Sequence, residues 1–313
     1  MKAMQIRNSP EGPTLRPAEV PQPTPDKAEV LIRVHAAGVT PTELGWYPTT
    51  HTKNGGDRTN AIPGHEFSGV VAATGEEIKD FTIGQPVYGM NDWFADGATA
   101  EFCLTLPASV APKPATLTHE ESATLPLGAL TAWQGLFDHA KLQPNERVLV
   151  HGGSGAVGLF AVQLAHRHGA YVISTASTQN LSLVARLGAN EVIDYKTSRF
   201  QDLARDIDVV FDTVGGETRD LSWPLLKPNG RMITIAADGE SSTDPRIKNN
   251  YFIVEPNQKQ LIEVARLFDD GSLETFVNAA VPFEDAPRAY ARSVPHKLGY
   301  GKVVITLPAE SRT

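Results

Sequence analysis

The chain has one cysteine, Cys103, in 313 residues. An intramolecular disulfide is therefore excluded, and so is a thiolate zinc cluster. No run approaches the ~18 consecutive apolar residues of a membrane span. Residues 1–7 carry no apolar signal segment, so the cytoplasm is the expected location. Basic residues are not in excess. The 28 Lys and Arg against 36 Asp and Glu leave a net charge of −8. That balance argues against nucleic acid or an anionic membrane as the main partner. Apolar residues at 41% and charged residues at 20% describe an ordinary soluble globular chain, long enough for two domains. No internal repeat or low-complexity tract is visible.

What is present is concentrated in one stretch, Val148-Leu149-Val150-His151-Gly152-Gly153-Ser154-Gly155-Ala156-Val157-Gly158. A β-branched run enters a glycine cluster, and an apolar run follows. Gly153, Gly155 and Gly158 fit G-x-G-x-x-G in a strand–turn–helix context. The first glycine permits the tight turn, the second lets backbone approach a pyrophosphate, and the third lets the helix pack on its strand. Free N–H groups at the helix start favour phosphate, so Ser154, Ala156 and Val157 join the three glycines as expected contacts. The motif predicts a bound dinucleotide.

Organisation follows from periodicity. The first ~120 residues look β-rich and irregular, with strands expected at 29–36, 69–73 and 85–88. The stretch 16–26 holds four prolines and reads as an extended loop. Residues 49–60 are polar, lack periodicity and read as a mobile surface loop. From about residue 125 the pattern alternates. Strands are expected at 146–151, 171–175, 191–195, 208–214 and 231–236, with helices at 156–168 and 180–187. This rhythm predicts an α/β, doubly wound parallel (Rossmann) sheet. An amphipathic helix at 258–268 and a strand at 302–307 end the chain.

The second strand of that series decides the expected cofactor. NAD-binding folds place an acid at its end, ~20 residues past the glycines, to take the ribose hydroxyls. Here the strand runs Tyr171-Val172-Ile173-Ser174-Thr175-Ala176-Ser177-Thr178, with Ala176 at that position. No carboxylate repels a 2′-phosphate, and Ser174, Ser177 and Thr178 offer hydroxyls. The expectation is NADP(H). A polar turn with no phosphate role is the other reading, because no Arg or Lys lies nearby in sequence.

Together with the N-terminal half, the chain resembles the medium-chain dehydrogenase/reductase superfamily, and within it the zinc-free quinone oxidoreductases. The resemblance rests on Ala36-Ala37-Gly38-Val39-Thr40-Pro41, on Ile62-Pro63-Gly64-His65-Glu66-Phe67-Ser68-Gly69-Val70-Val71 and on Leu125-Pro126-Leu127-Gly128-Ala129-Leu130-Thr131-Ala132-Trp133. The glycine motif, Asp212-Thr213-Val214-Gly215-Gly216, Leu226-Lys227-Pro228-Asn229-Gly230-Arg231 and Gly301-Lys302-Val303-Val304 extend it. It implies a β-rich, GroES-like catalytic domain from residues 1–126 and 256–313, with the dinucleotide-binding domain, 127–255, inserted between. It also implies a homodimer.

Zinc-dependent members of the superfamily use a His at the position of His65. Their other catalytic ligands fall at Thr40 and near Leu127, which cannot replace them. One ligand of three does not hold catalytic zinc. His65 is expected to be a hydrogen-bonded residue of the cleft wall near substrate.

The resemblance further implies site residues. Tyr47 resembles a tyrosine near the quinone site, as an acceptor-oxygen ligand or proton donor; a half-buried loop tyrosine is the alternative. Thr40 stands where relatives carry Asn and still offers a donor. Trp46 would wall an apolar slot. Thr131 falls near the nicotinamide in relatives, and Tyr195 resembles a tyrosine near the 2′-phosphate. Val214, Ala236 and Val254 fall at strand ends beside the nicotinamide. Tyr300 replaces an Arg common in relatives. The function implied is NADPH-dependent, zinc-independent reduction of quinones or α,β-unsaturated carbonyls. A zinc alcohol dehydrogenase and a non-catalytic NADPH-binding protein are the alternatives.

Overall fold

A computed structural model describes residues 1–9, 12–295 and 297–308. They divide into two compact units. One comprises Met1–Leu127 with the described residues from Glu255 onward; the other is Gly128–Val254.

The first unit opens with β1 (Lys2–Ser9) and β2 (Gly12–Glu19), an antiparallel pair. β2 takes in Pro13 and Pro17, where part of an extended loop was expected. A two-stranded sheet consists only of edges, so a proline costs it no obligatory ladder bond. β3 (Val30–Gly38) pairs antiparallel with β4 (Glu66–Thr74), and β4 with β5 (Pro86–Met90). β6 (Phe102–Thr105) lies against β3, and β7 (Val110–Pro112) against β5. Val34, Phe67, Val87 and Val110 fill the core between them.

In the second unit, β8 (Arg147–Val150), β9 (Tyr171–Ala176), β10 (Glu191–Asp194), β11 (Ile207–Asp212) and β12 (Leu226–Thr234) form one parallel sheet in the order β10-β9-β8-β11-β12. The chain runs outward from β8 through β9 to β10, then returns to β11 on the other side of β8. That reversal makes the carboxyl end of β8 the topological switch point, where such sheets bind ligands. The helix Gly158–Arg167 buries Leu159, Phe160, Ala161, Leu164 and Ala165. Leu149, Ile173, Val210 and Met232 form a core beneath the strands.

The chain then rejoins the first unit. The helix Gln258–Asp269 packs on β7, and the Tyr88 hydroxyl donates to the Leu261 carbonyl at 2.5 Å. β13 (Val277–Pro282) runs parallel to β14 (Lys302–Thr306), and β14 pairs antiparallel with β3. A seven-stranded sheet therefore uses both chain ends. The architecture is α/β: a parallel sheet unit whose residues fall in sequence between the two segments of a GroES-like, β-rich one. Among the described residues no helix is long and apolar enough to cross a membrane.

Candidate active site

In the second unit the glycine turn sits at the end of β8. The helix begins at Gly158, two residues later than the pattern suggested, because residues 151–157 form the turn itself. A Cβ on Gly158 would lie 2.1 Å from the Gly152 carbonyl oxygen. Only glycine closes that turn. Gly155 is exposed, and a Cβ there would meet nothing nearer than the Gly152 oxygen at 3.2 Å. Its open side is the one a pyrophosphate would approach, so the residues present fit a dinucleotide. The Ser154 hydroxyl accepts from Asn180 Nδ2 at 3.0 Å. Gly153, Ala156 and Val157 complete the turn.

His151 lies below this surface, fully buried. The Thr175 hydroxyl is 3.2 Å from its Nδ1 and the Ser222 hydroxyl 2.8 Å from its Nε2. Ser222 donates its own proton to the Thr218 carbonyl, so it accepts from Nε2–H. Thr175 accepts from the Gly152 N–H and can give its proton to Nδ1. The neutral ring satisfies both hydroxyls, and burial pushes its pKa down to about 4.

Ser174 departs from expectation. Its hydroxyl is buried and donates to the Val150 carbonyl at 2.9 Å. It packs under Gly153, within 2.1 Å of where a Cβ there would sit, and its proton is spent on the Val150 carbonyl. Alternation along β9 turns it into the sheet. Ser177 is also mostly buried, whereas Tyr195 is 56% exposed. Val214 is exposed and Ala236, Val254 and Thr131 are buried. Thr131 lies in the helix Pro126–Trp133. The Asp212 carboxylate is fully buried and shapes the turn before Val214. It accepts from the Val214 and Gly215 N–H groups, both at 3.0 Å, and from the Thr234 hydroxyl at 2.8 Å.

The first unit holds a second polar centre. Glu43 is buried in the short 3-10 helix Pro41–Gly45, just after Thr40. Its Oε2 lies 2.6 Å from His65 Nδ1. Its Oε1 accepts from the Tyr290 hydroxyl at 2.6 Å and from the Gly64 N–H at 3.2 Å. Burial, with the Glu43 charge, raises the Tyr290 hydroxyl far above its ordinary pKa, so it stays a donor. The Thr99 hydroxyl lies 3.2 Å from Tyr290. Beside it, Lys302 pairs with Glu66, both buried, and the Leu127 N–H donates to the other Glu66 oxygen. Burial pulls the Lys302 ammonium down to about 7, against the pull of Glu43.

Two rings gather around His65. Trp46 and Trp93 meet edge to face at 5.2 Å, and Trp93 lies 4.9 Å from the imidazole. Tyr47 is half-exposed and stacks on His51 at 4.3 Å with the rings nearly parallel. The expected mobile loop is tied down. The helical turn Tyr47–Thr50 takes in its first two residues, and Arg58 donates to the Pro48 carbonyl at 3.0 Å and to Asp96 at 2.7 Å. Sequence reasoning missed Glu43, Trp93 and Tyr290. A buried glutamate shows no periodicity signal, and Tyr290 lies 247 residues from its partner.

Zinc does not fit this centre. The Nε2 of His65 faces the Trp93 carbonyl oxygen at 3.0 Å, and Nδ1 faces Glu43. Each ring nitrogen points at an acceptor instead of presenting a lone pair to a metal. Thr40 and Leu127 bring no strong ligand. Among the described residues no group of three His, Cys, Asp or Glu can hold a metal ion.

Comparison with known proteins adds family evidence. Residues 26–149 match the model of the alcohol dehydrogenase GroES-like domain, and residues 187–305 that of zinc-binding dehydrogenases. The protein named "Probable zinc-binding oxidoreductase, mitochondrial" from Arthroderma benhamiae is 32% identical, across 93% of this chain and 92% of its own. The quinone oxidoreductase of Mus musculus is 32% identical over 73% and 71% of the two chains. The solved quinone oxidoreductase of Coxiella burnetii superposes with a TM-score of 0.84 at 27% identity, covering 98% and 99%.

Proposed function

The chain belongs to the medium-chain dehydrogenase/reductase superfamily, and from this premise we propose that it is an NADPH-dependent, zinc-independent oxidoreductase that reduces quinones or α,β-unsaturated carbonyls. The observation that carries the reading is the donor set at the family's metal position. Only His65 remains of three ligands, and both of its nitrogens are committed to acceptors. Bound NADPH supplies the hydride.

The rest is the work of this chain's own side chains. Hydride addition to a simple carbonyl localises charge on one oxygen, which calls for a metal or a strong acid. Addition to a quinone or an enone spreads the charge through the conjugated system, and neutral donors suffice. Tyr47 offers an exposed phenol for the acceptor oxygen and its proton, and Thr40 a second hydroxyl. Trp46 and Trp93 present flat apolar faces suited to a planar acceptor. The turn from Gly153 to Gly158 holds the pyrophosphate.

The test is NADPH consumption by chelator-treated protein across quinones, enones and simple aldehydes, with NADH as control. Turnover confined to conjugated acceptors is expected. Activity on aldehydes that disappears with the metal would replace this reading with a zinc alcohol dehydrogenase. Tight NADPH binding without turnover on any acceptor would replace it with a binding protein.

A further inference from the structure

The end of β9 carries no acid, but the fold brings one beside it. β10 pairs with β9 in a register that sets Asp194 opposite Ala176, the position where NAD-binding folds carry their carboxylate. Adjacent strands lie about 4.8 Å apart, so the Asp194 side chain starts one strand's width from that position. The Tyr195 N–H donates to the Ala176 carbonyl at 3.2 Å and fixes the crossing.

Asp194 is also held in place. The Thr178 hydroxyl, just past the end of β9, donates to Asp194 Oδ2 at 2.6 Å, and the Lys196 N–H donates to Oδ1 at 2.9 Å. The hydroxyl of Thr178 keeps the carboxyl below the usual aspartate range, with the Lys196 charge adding to the effect. Two consequences follow. The Thr178 proton is spent on Asp194, so Thr178 is not a ready donor to a phosphate. The carboxylate keeps lone pairs to spare beside the position that takes the ribose in NAD-binding folds, able to accept from sugar hydroxyls and to repel a dianion. The opposing charge is close by. Lys196 is exposed, two residues along the same turn, and next to the exposed ring of Tyr195.

We infer that the Asp194–Lys196 turn at the end of β10 discriminates between NADPH and NADH, with Lys196 attracting the 2′-phosphate and Asp194, braced by Thr178, opposing it. This rests on the proposed nicotinamide cofactor. The two charges oppose each other, so the wild-type protein favours NADPH and Asp194 limits by how much.

The test is calorimetric titration of the full chain with NADPH, NADH and 2′-phospho-ADP-ribose, which needs no turnover. Asp194→Asn keeps an acceptor for the Lys196 N–H and removes the charge. It is expected to raise the NADPH-over-NADH affinity ratio about tenfold, and Lys196→Gln to lower it about tenfold. Thr178→Val, which frees the carboxylate from its brace, should change the ratio less than either. A cooperative thermal unfolding transition within a few degrees of wild type serves as the folding control for each variant. Wild-type binding with an unmoved ratio in both charge variants would overturn the inference and leave the cofactor reading standing. No nucleotide binding by folded wild-type protein would overturn both.

Discussion

His65 Nδ1 lies 2.6 Å from Glu43 Oε2, with both side chains buried in the first unit. The same carboxylate takes the Tyr290 hydroxyl and the Gly64 N–H. Glu43→Ala strands three buried polar partners at once and is expected to cost about 3 kcal/mol or more. Glu43→Gln retains one acceptor oxygen and should cost markedly less. Urea unfolding of the two variants checks this. Equal stability of Glu43→Ala and wild type would mean that the network does not hold the first unit together.

The buried Glu66–Lys302 pair gives an independent test. Lys302→Met leaves a carboxylate without its cation and should destabilise by about 3–5 kcal/mol. Adding Glu66→Gln removes the orphaned charge and should recover a large part of that loss. A double-mutant cycle with no coupling would show that the two groups do not act as a pair.

At the glycine turn two substitutions should part company. Gly158→Ala drives a methyl into the Gly152 backbone, so both stability and NADPH binding should fall. Gly155→Ala needs the Gly152 carbonyl to give by only a few tenths of an ångström, far less than Gly158→Ala, but blocks the side open to the pyrophosphate. It should leave the melting temperature within a few degrees of wild type and weaken NADPH at least about tenfold. Unimpaired binding by Gly155→Ala would place the phosphates elsewhere.

Acid should expose His151. Its folded pKa of about 4 lies below the ordinary 6.5, so the unfolded chain takes up the proton first. The stability contributed by the neutral ring is complete above pH 6.5 and is lost as the pH falls from there toward 4. The loss is up to about 3 kcal/mol. His151→Asn should flatten that stretch of the stability profile. Parallel slopes for variant and wild type between pH 7 and 4.5 would refute the assignment.

Arg58 ties the segment that carries Tyr47. Arg58→Ala releases the Pro48 carbonyl and Asp96. The expected outcome is a shift of threefold or so in relative kcat/KM between a small quinone and a bulky one, with NADPH affinity unchanged. A change in NADPH affinity with no change in acceptor preference would separate this segment from the substrate.

Much of the second unit was legible in advance. Apolar period and β-branched composition marked β8 to β12 to within a few residues, except that β12 starts earlier, at Leu226. The glycine spacing marked the turn. The short strands β6, β7 and β13 were not legible, because three to six residues in a covered sheet show too little alternation to stand out. Residues 49–60 looked mobile because polarity and a lack of periodicity do not reveal that Arg58 anchors them.

The sequence by itself determined where backbone could turn and which faces were apolar, and hence the parallel sheet, the glycine turn after β8 and the depletion of metal ligands. These properties depend on residues close together along the chain. The tertiary structure decided which polar groups meet. It buried Ser174, set Asp194 beside Ala176 across two strands, and joined Glu43 to Tyr290 from opposite ends of the chain. Strand register and sheet order fix those encounters, and both depend on how distant segments pack.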